Sequence, residues 1–154
     1  MNSKKLTAVM AWVVLACPGV VRLGYSYQYA RFITVSDIEK VTGLKGIATV
    51  PKTADADGDL NFAAKDGRLI LSASFLPASA YVGAKSSRDG FKNVIAGVGE
   101  EAFIGPAGNS PSFILVFRKA AYTVVLNTEL ESDTRARVPI EQLTALAKII
   151  ASRM

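Results

Sequence analysis

The apolar positions after residue 26 alternate in short segments and follow helical spacing in others, which predicts a mixture of strands and helices. A capping box indicates the first helix. The Thr34 side chain can accept from the Asp37 N–H, and the Asp37 side chain, three residues on, can accept from the Thr34 N–H. Ile33 can pack against Ile38 across the same start as a hydrophobic staple. Gly43 is expected to end the helix, since glycine readily adopts the left-handed conformation found there.

Two pairs of strands are expected to form hairpins. Residues 60–64 and 68–75 flank Asp66-Gly67, a strong hairpin signal because both residues tolerate positive φ. Residues 113–117 and 122–128 form the second pair, and their near-continuous apolar runs are typical of central strands. In the first pair one face is expected to carry Leu69, Leu71, Ala73 and Phe75.

In the remaining segments, the residue pattern predicts one strand, two helices and a loop. A short strand at 101–104 follows the turn Gly97-Val98-Gly99, and a helix spans 80–88. Residues 45–58 lose periodicity and read as a loop. The last helix begins at Pro139, and its apolar residues keep helical spacing: Ile140, Leu143, Leu146, Ala147, Ile150 and Met154.

Together these elements predict an α+β fold. It contains a single antiparallel sheet, made of two hairpins plus a short strand, with the helices packed on one face. Residues 27–154 have the length of a single domain and leave no room for a second.

Residues 1–26 read as a leader. Lys4 and Lys5 precede an uncharged run at 6–21, and the small residues Gly24 and Ser26 suit a signal-peptidase cut before residue 27. A second interpretation is a lipoprotein leader in which residues 14–17 form a lipobox and Cys17 is lipidated. In a third, the leader is an uncleaved anchor flanked by Tyr25, Tyr27 and Tyr29, although sixteen residues span only about 24 Å of a ~30 Å hydrocarbon core. All three predict an exported protein of the periplasm or cell envelope that meets the membrane only through the leader or a lipid.

The composition excludes several classes of function. Removing the leader leaves 15 basic against 13 acidic residues, so the net charge falls from +5 to +2 and no basic tract for nucleic acid remains. There is no histidine, and the one cysteine is Cys17. Histidine-dependent nucleophilic catalysis, thiolate metal sites and thiol redox chemistry are therefore absent from the expected domain, and no cofactor is predicted.

The acidic loop is the weak candidate for a metal site. Asp55, Asp57 and Asp59 are spaced like the opening ligands of a calcium loop. The match then fails, because Leu60 stands where the loop needs glycine and Asp66 stands where it needs a bidentate glutamate. A flexible acidic turn is the preferred interpretation.

Other motifs carry little chemistry. Gly97 and Gly99 imitate a dinucleotide fingerprint, but no helix can follow before Gly105-Pro106. Glu100 and Glu101 are adjacent, so on a strand they point to opposite faces, where solvent or a turn amide is their expected partner. The spacing also allows a serine–lysine dyad, from Ser72 or Ser74 with Lys65, Lys85 or Lys92, although serines on a half-exposed sheet face are common.

Three segments carry a resemblance: residues 33–44 (ITVSDIEKVTGL), 97–103 (GVGEEAF) and 117–119 (FRK). They resemble a group of small exported bacterial proteins of unknown function with the pattern ITV.D.EKVTGL, GVG(D/E)EAF and FRK. The layout is also distantly similar to actinobacterial lipoproteins with a TATA-binding-protein-like α+β core. The resemblance implies an envelope protein and brings no catalytic residues. One departure is Ala120-Ala121, where the turn is expected to hold glycine.

The sequence therefore favours a noncatalytic envelope module that binds a partner protein or a small amphipathic ligand. The alternative is a small hydrolase-like enzyme that uses carboxylates or serine and lysine. A sheet face with exposed phenylalanines would favour ligand binding, whereas a polar cleft that holds Asp66 or Glu101 with a lysine would favour catalysis.

Overall fold

Seven antiparallel strands form one open sheet in the computed structural model, which describes residues 28–50, 58–86, 93–106, 112–132 and 135–154. The leader and Cys17 lie outside these residues. The sheet strands are β1 (Ala48–Val50), β2 (Asp59–Ala63), β3 (Leu69–Pro77), β4 (Asn93–Val94), β5 (Glu101–Pro106), β6 (Phe113–Lys119) and β7 (Tyr122–Thr128). Strands β8 (Leu130–Ser132) and β9 (Arg135–Ala136) pair separately, and the helices are α1 (Val35–Thr42), α2 (Ala80–Ser86) and α3 (Ile140–Arg153). None of the helices described is long and apolar enough to cross a membrane.

The strand order is β1-β2-β3-β7-β6-β5-β4, so the α+β prediction is confirmed. The two predicted hairpins, β2–β3 and β6–β7, meet at the centre of the sheet, where β3 pairs with β7. The sheet is larger than two hairpins plus a short strand. The prediction missed the edge strands β1 and β4, and the first of them lies inside the segment expected to be a loop. Strands of two or three residues are too short to show alternation, and pairing with β2 and β5 alone defines them.

The helices do not all pack on one face, contrary to the prediction. Ile38 of α1 and Leu143, Leu146 and Ile150 of α3 join the main core with the inward side chains of β2, β3, β5, β6 and β7. Tyr81 of α2 packs instead with Phe103 and Val116, which alternate to the opposite face. The sheet is therefore covered by α1 and α3 on one side and partly by α2 on the other.

The β2–β3 hairpin departs in two ways from a two-residue hairpin with strict alternation. In the β2–β3 hairpin only Gly67 has positive φ, and Gly67 N–H donates to Ala64 O at 2.9 Å, so the loop has three residues rather than two. The register shifts at Phe62 and Ala63, which leaves Leu69 38% exposed while Leu71, Ala73 and Phe75 are buried as predicted.

The turn between β6 and β7 also differs from the usual glycine solution. Ala120 is the one non-glycine residue with positive φ, at 50°, among the residues described. Alanine tolerates this conformation at a cost of about 1 kcal/mol, and the Ala120 N–H donates to Glu100 Oε1 at 2.9 Å. The carboxylate therefore stabilises a turn in which glycine is the ordinary choice.

Tyr29, close to the leader, packs on the domain. Its ring stacks on Phe75 with the centroids 4.6 Å apart, and Phe32 lies 5.8 Å from the same ring. Gly58 lets the backbone approach β3 closely at this point, since a Cβ there would lie 2.7 Å from the Phe75 carbonyl oxygen. The Tyr29 ring thus packs against the core of the domain.

The predicted start and end of α1 are confirmed. Thr34 Oγ1 accepts from the Asp37 N–H at 3.2 Å, the Asp37 carboxylate accepts from the Thr34 N–H at 2.8 Å, and Gly43 is left-handed. Arg153, at the end of α3, then donates to both Asp37 oxygens at 2.6 and 2.7 Å. The same guanidinium donates to Phe32 O at 3.2 Å, so one arginine ties the C-terminal helix to the N-terminal one.

The pairing of Arg153 with Asp37, here called the clamp, makes the free energy of unfolding depend on pH in the acidic range. The hydrogen bonds from Arg153 lower the pKa of Asp37 from 3.8 to about 2, so the stabilisation is complete above the unfolded pKa and is lost as pH falls through 3.8 towards 2. Because Arg153 is 37% exposed, we expect Arg153→Gln to cost about 1 kcal/mol at pH 6. Urea unfolding should show this difference from wild type shrinking as pH falls from 3.8 towards 2, down to the part that Arg153 contributes through the Phe32 carbonyl. Lys148→Gln, on an exposed position of the same helix, is the control and should match wild type throughout; a pH-independent Arg153→Gln deficit would contradict the clamp.

Candidate functional site

The sheet face opposite α1 and α3, here called the polar face, carries the candidate site. Two kinds of strand residue alternate to this face. The polar or charged ones are Asp59, Asn61, Ser72, Ser74, Glu101, Arg118, Thr123 and Asn127. The apolar ones are Leu76, Phe103, Ile114, Val116 and Val125, and the last four pack around Tyr81 of α2. On the α1 and α3 side the corresponding positions are apolar and buried. The two faces therefore have different chemistry, and α2 covers part of the polar one.

Charged residues surround α2, and we call them the α2 charge cluster: Lys85, Glu100, Glu101 and Arg118. Lys85 Nζ forms an ion pair with Glu101 Oε1. Arg118 is the cross-strand neighbour of Glu101. Its guanidinium lies 5.6 Å from the centre of the Tyr81 ring. Its Nε lies 3.2 Å from Glu100 Oε2, close enough for an ion pair but without hydrogen-bond geometry. Each charge in this cluster thus faces an opposite charge.

Tyr81 is the buried member of this region. The residue is only 2% exposed, and its hydroxyl has no hydrogen-bond partner, although the Glu101 carboxylate lies nearby. Burial, reinforced by the negative charge of Glu101, raises the pKa of Tyr81 to about 12. Tyr81 is therefore neutral at physiological pH.

The electrostatics disfavour acid–base catalysis here. The hydrogen bond from Lys85 lowers the pKa of Glu101, so this carboxylate is ionised at neutral pH and is a poor general acid. Its side chain is 38% exposed and that of Lys85 is 59% exposed, so the pair is screened by solvent. A catalytic pair works best in a desolvated setting with pKa values near the working pH, whereas the Glu101–Lys85 pair is solvent-exposed and the pKa of Glu101 is lowered.

The structure describes only part of the acidic loop that the sequence suggested as a weak metal site. Asp55 and Asp57 lie outside the described residues, and Asp59 begins β2 opposite Ser74. Across the residues that are described, no group of three potential metal ligands comes together. Gly97 and Gly99 lead into β5 rather than a helix, as expected.

The predictions for Glu100, Glu101 and the serine–lysine dyad are met only in part. The turn amide predicted as a glutamate partner is confirmed, since Glu100 accepts from Ala120. The predicted alternation does not reach Glu100, because β5 begins at Glu101, and both carboxylates lie near Arg118. Lys85 pairs with Glu101 rather than with Ser72 or Ser74, and Lys92, another lysine of the predicted dyad, lies outside the described residues.

A second group on the polar face was not singled out by the sequence as a set. Asn61 pairs across the strands with Ser72, and Ser72 pairs with Asn127, so the three side chains lie side by side on β2, β3 and β7. Ser74 lies on the same face two residues along β3. We call these four residues the polar row. Strand alternation assigns each one to a face, but the pairing of β3 with β7 was needed to bring the asparagines together.

Tyr81 allows a direct test of how α2 is held. Tyr81→Phe removes a buried hydroxyl that has no partner, so the free energy of unfolding should stay within about 0.5 kcal/mol of wild type. Tyr81→Ala removes the ring from its contacts with Phe103 and Val116 and should cost about 3 to 5 kcal/mol. Chemical denaturation measures both. A Tyr81→Phe cost as large as that of the alanine variant would show that the hydroxyl, not the ring, fastens the helix.

No protein-family model, curated protein or solved structure matches this chain. The resemblance to small exported bacterial proteins therefore remains a prediction, and the function must be argued from the geometry above.

Proposed function

We propose that this chain is an exported, noncatalytic binding module of the bacterial cell envelope. The leader-like residues 1–26 support export. The observation that carries the binding role is the inequality of the two sheet faces, one closed by α1 and α3 and the other polar and only partly covered by α2.

The closed face argues against one form of binding. Phe62, Phe75 and Phe117 are no more than 3% exposed, so the phenylalanine-rich surface that an amphipathic ligand would use is already occupied by the core. The polar face is more accessible, because Leu76 at its margin is 37% exposed and Ser72, Ser74 and Asn127 are partly exposed. We place the binding surface there.

The charges support binding over catalysis. Asp37, Asp66 and Glu101 each have a lowered pKa because an arginine or lysine donates to the carboxylate. Such carboxylates stabilise the fold or orient neighbours, and they do not exchange protons near neutral pH. A carboxylate or serine–lysine enzyme remains the alternative, favoured only by the proximity of Glu101 and Lys85.

Export is tested by the mass of the protein in its native host. We expect the protein from the envelope fraction to lack the leader, with a mature start at residue 27, because Gly24 and Ser26 suit the peptidase. Intact-mass spectrometry of the envelope and cytoplasmic fractions makes the measurement. A diacylglyceryl mass on Cys17 would select the lipoprotein route, and a full-length cytoplasmic product would refute export.

The binding face is tested by photocrosslinking in intact cells with a matched pair of leucines. Leu76 borders the polar face and is 37% exposed, whereas Leu44 follows α1 and is 38% exposed. A photoreactive amino acid at position 76 should form a reproducible adduct with an envelope component, and the same group at position 44 should not. Equal labelling from both positions, or none from position 76, would argue against the polar face as the contact surface.

A further inference from the structure

The polar row has hydrogen-bonding groups that the fold does not use. Asn61 is only 8% exposed, and no hydrogen bond of its side chain is found with any described residue, but its polar atoms are not fully enclosed. Asn127 Oδ1 is fully buried and has no partner among the described residues. A buried polar group without a partner costs about 1 to 3 kcal/mol, and proteins keep such groups chiefly where a ligand or a specific role accounts for them.

From this the geometry points to a binding site for a neutral polyhydroxylated ligand, a saccharide unit, along Asn61, Ser72 and Asn127. This inference rests on the proposed binding role of the polar face and names the class of ligand. Adjacent strands are about 4.8 Å apart, so the two amides stand about 10 Å apart with Ser72 between them. That spacing suits a ligand of disaccharide size lying across the strands.

The chemistry of the row matches hydroxyl groups. Each asparagine amide offers two donors and one acceptor, and each serine hydroxyl both donates and accepts, so the row can satisfy groups that do both. The row itself carries no charge. Asp59, opposite Ser74 at the end of the row, has an interaction of its own, and the charges of Lys85, Glu101 and Arg118 are paired at the α2 end. A charged ligand would find no unpaired opposite charge in the row, whereas a neutral one meets no penalty.

The surroundings of the row supply the apolar surface that a sugar ring also needs. Val125 is the cross-strand neighbour of Ser74, and Ile114 is that of Asn127. Both are partly exposed and pack against the buried group of Tyr81, Phe103 and Val116. The C–H face of a sugar can lie on these side chains while its hydroxyls reach the amides.

An extended peptide fits the row less well. Its side groups and amides repeat on one side every ~6.8 Å, which matches neither the ~5 Å nor the ~10 Å spacing across the strands. The saccharide is therefore the ligand that the geometry favours, and a peptide becomes an outcome of the test.

The test follows the side-chain amide signals of Asn61 and Asn127 by NMR in the ¹⁵N-labelled protein purified in its exported form. Maltose and N,N′-diacetylchitobiose are the neutral probes, sialyllactose the charged one and tetra-alanine the peptide. At about 20 mM, well above a Kd of 1 mM, a neutral disaccharide should shift both amide signals saturably. Asn61→Ala and Asn127→Ala should each weaken binding about tenfold, the loss expected for one or two hydrogen bonds.

Controls make the outcomes distinguishable. Asn93→Ala removes an exposed asparagine on edge strand β4 and should leave the affinity unchanged. If Asn61→Ala fails to fold, Ser72→Ala removes a hydroxyl at a partly exposed position and should weaken binding in its place. Absence of saturable shifts with both neutral disaccharides, or shifts with tetra-alanine or sialyllactose alone, would overturn the saccharide site. A crosslink from position 76 without these shifts would leave the binding module standing and remove only the ligand assigned to it.

Discussion

The packing of α3 against the central strands is the interaction on which the rest of this structure depends. An open antiparallel sheet must bury one apolar face, and Leu143, Leu146 and Ile150 of α3 are fully buried in the core that covers it. Each such side chain contributes about 1.5 to 3 kcal/mol of burial. Since the chain's one cysteine is Cys17, no disulfide within the chain can replace this packing.

The packing of α3 on one face of the sheet also fixes the first helix and the residues just before it. Arg153 reaches the capping box of α1 through Asp37 and also holds the Phe32 carbonyl, so the first helix is fixed to the last. Tyr29 then packs on Phe75 just before that helix. The segment just before α1 is therefore held by ring stacking and a charge-assisted hydrogen bond rather than by the sheet edge.

The second consequence concerns recognition. With the apolar face closed, the surface left for a ligand is the polar face, where the charges of the α2 cluster neutralise one another. Hydrogen-bonding groups without a partner among the described residues remain on this face, and Asn127 Oδ1 is the buried one that belongs to the polar row. This division is the reason that we assign recognition to the neutral groups of this face.

By itself the sequence determined the elements whose signals are local. The Thr34 and Asp37 capping box, the Asp66-Gly67 hairpin and the apolar face of α3 all depend on residues a few positions apart, and each was predicted from that spacing. Only the tertiary structure decided the features that depend on distant pairing. The edge strands β1 and β4 exist because β2 and β5 hold them, and Tyr81 joins the face opposite α3 because Phe103 and Val116 alternate to that side. The pairing of β3 with β7 likewise places Asn127 next to Ser72 and Asn61, and no local pattern in the chain encodes that pairing.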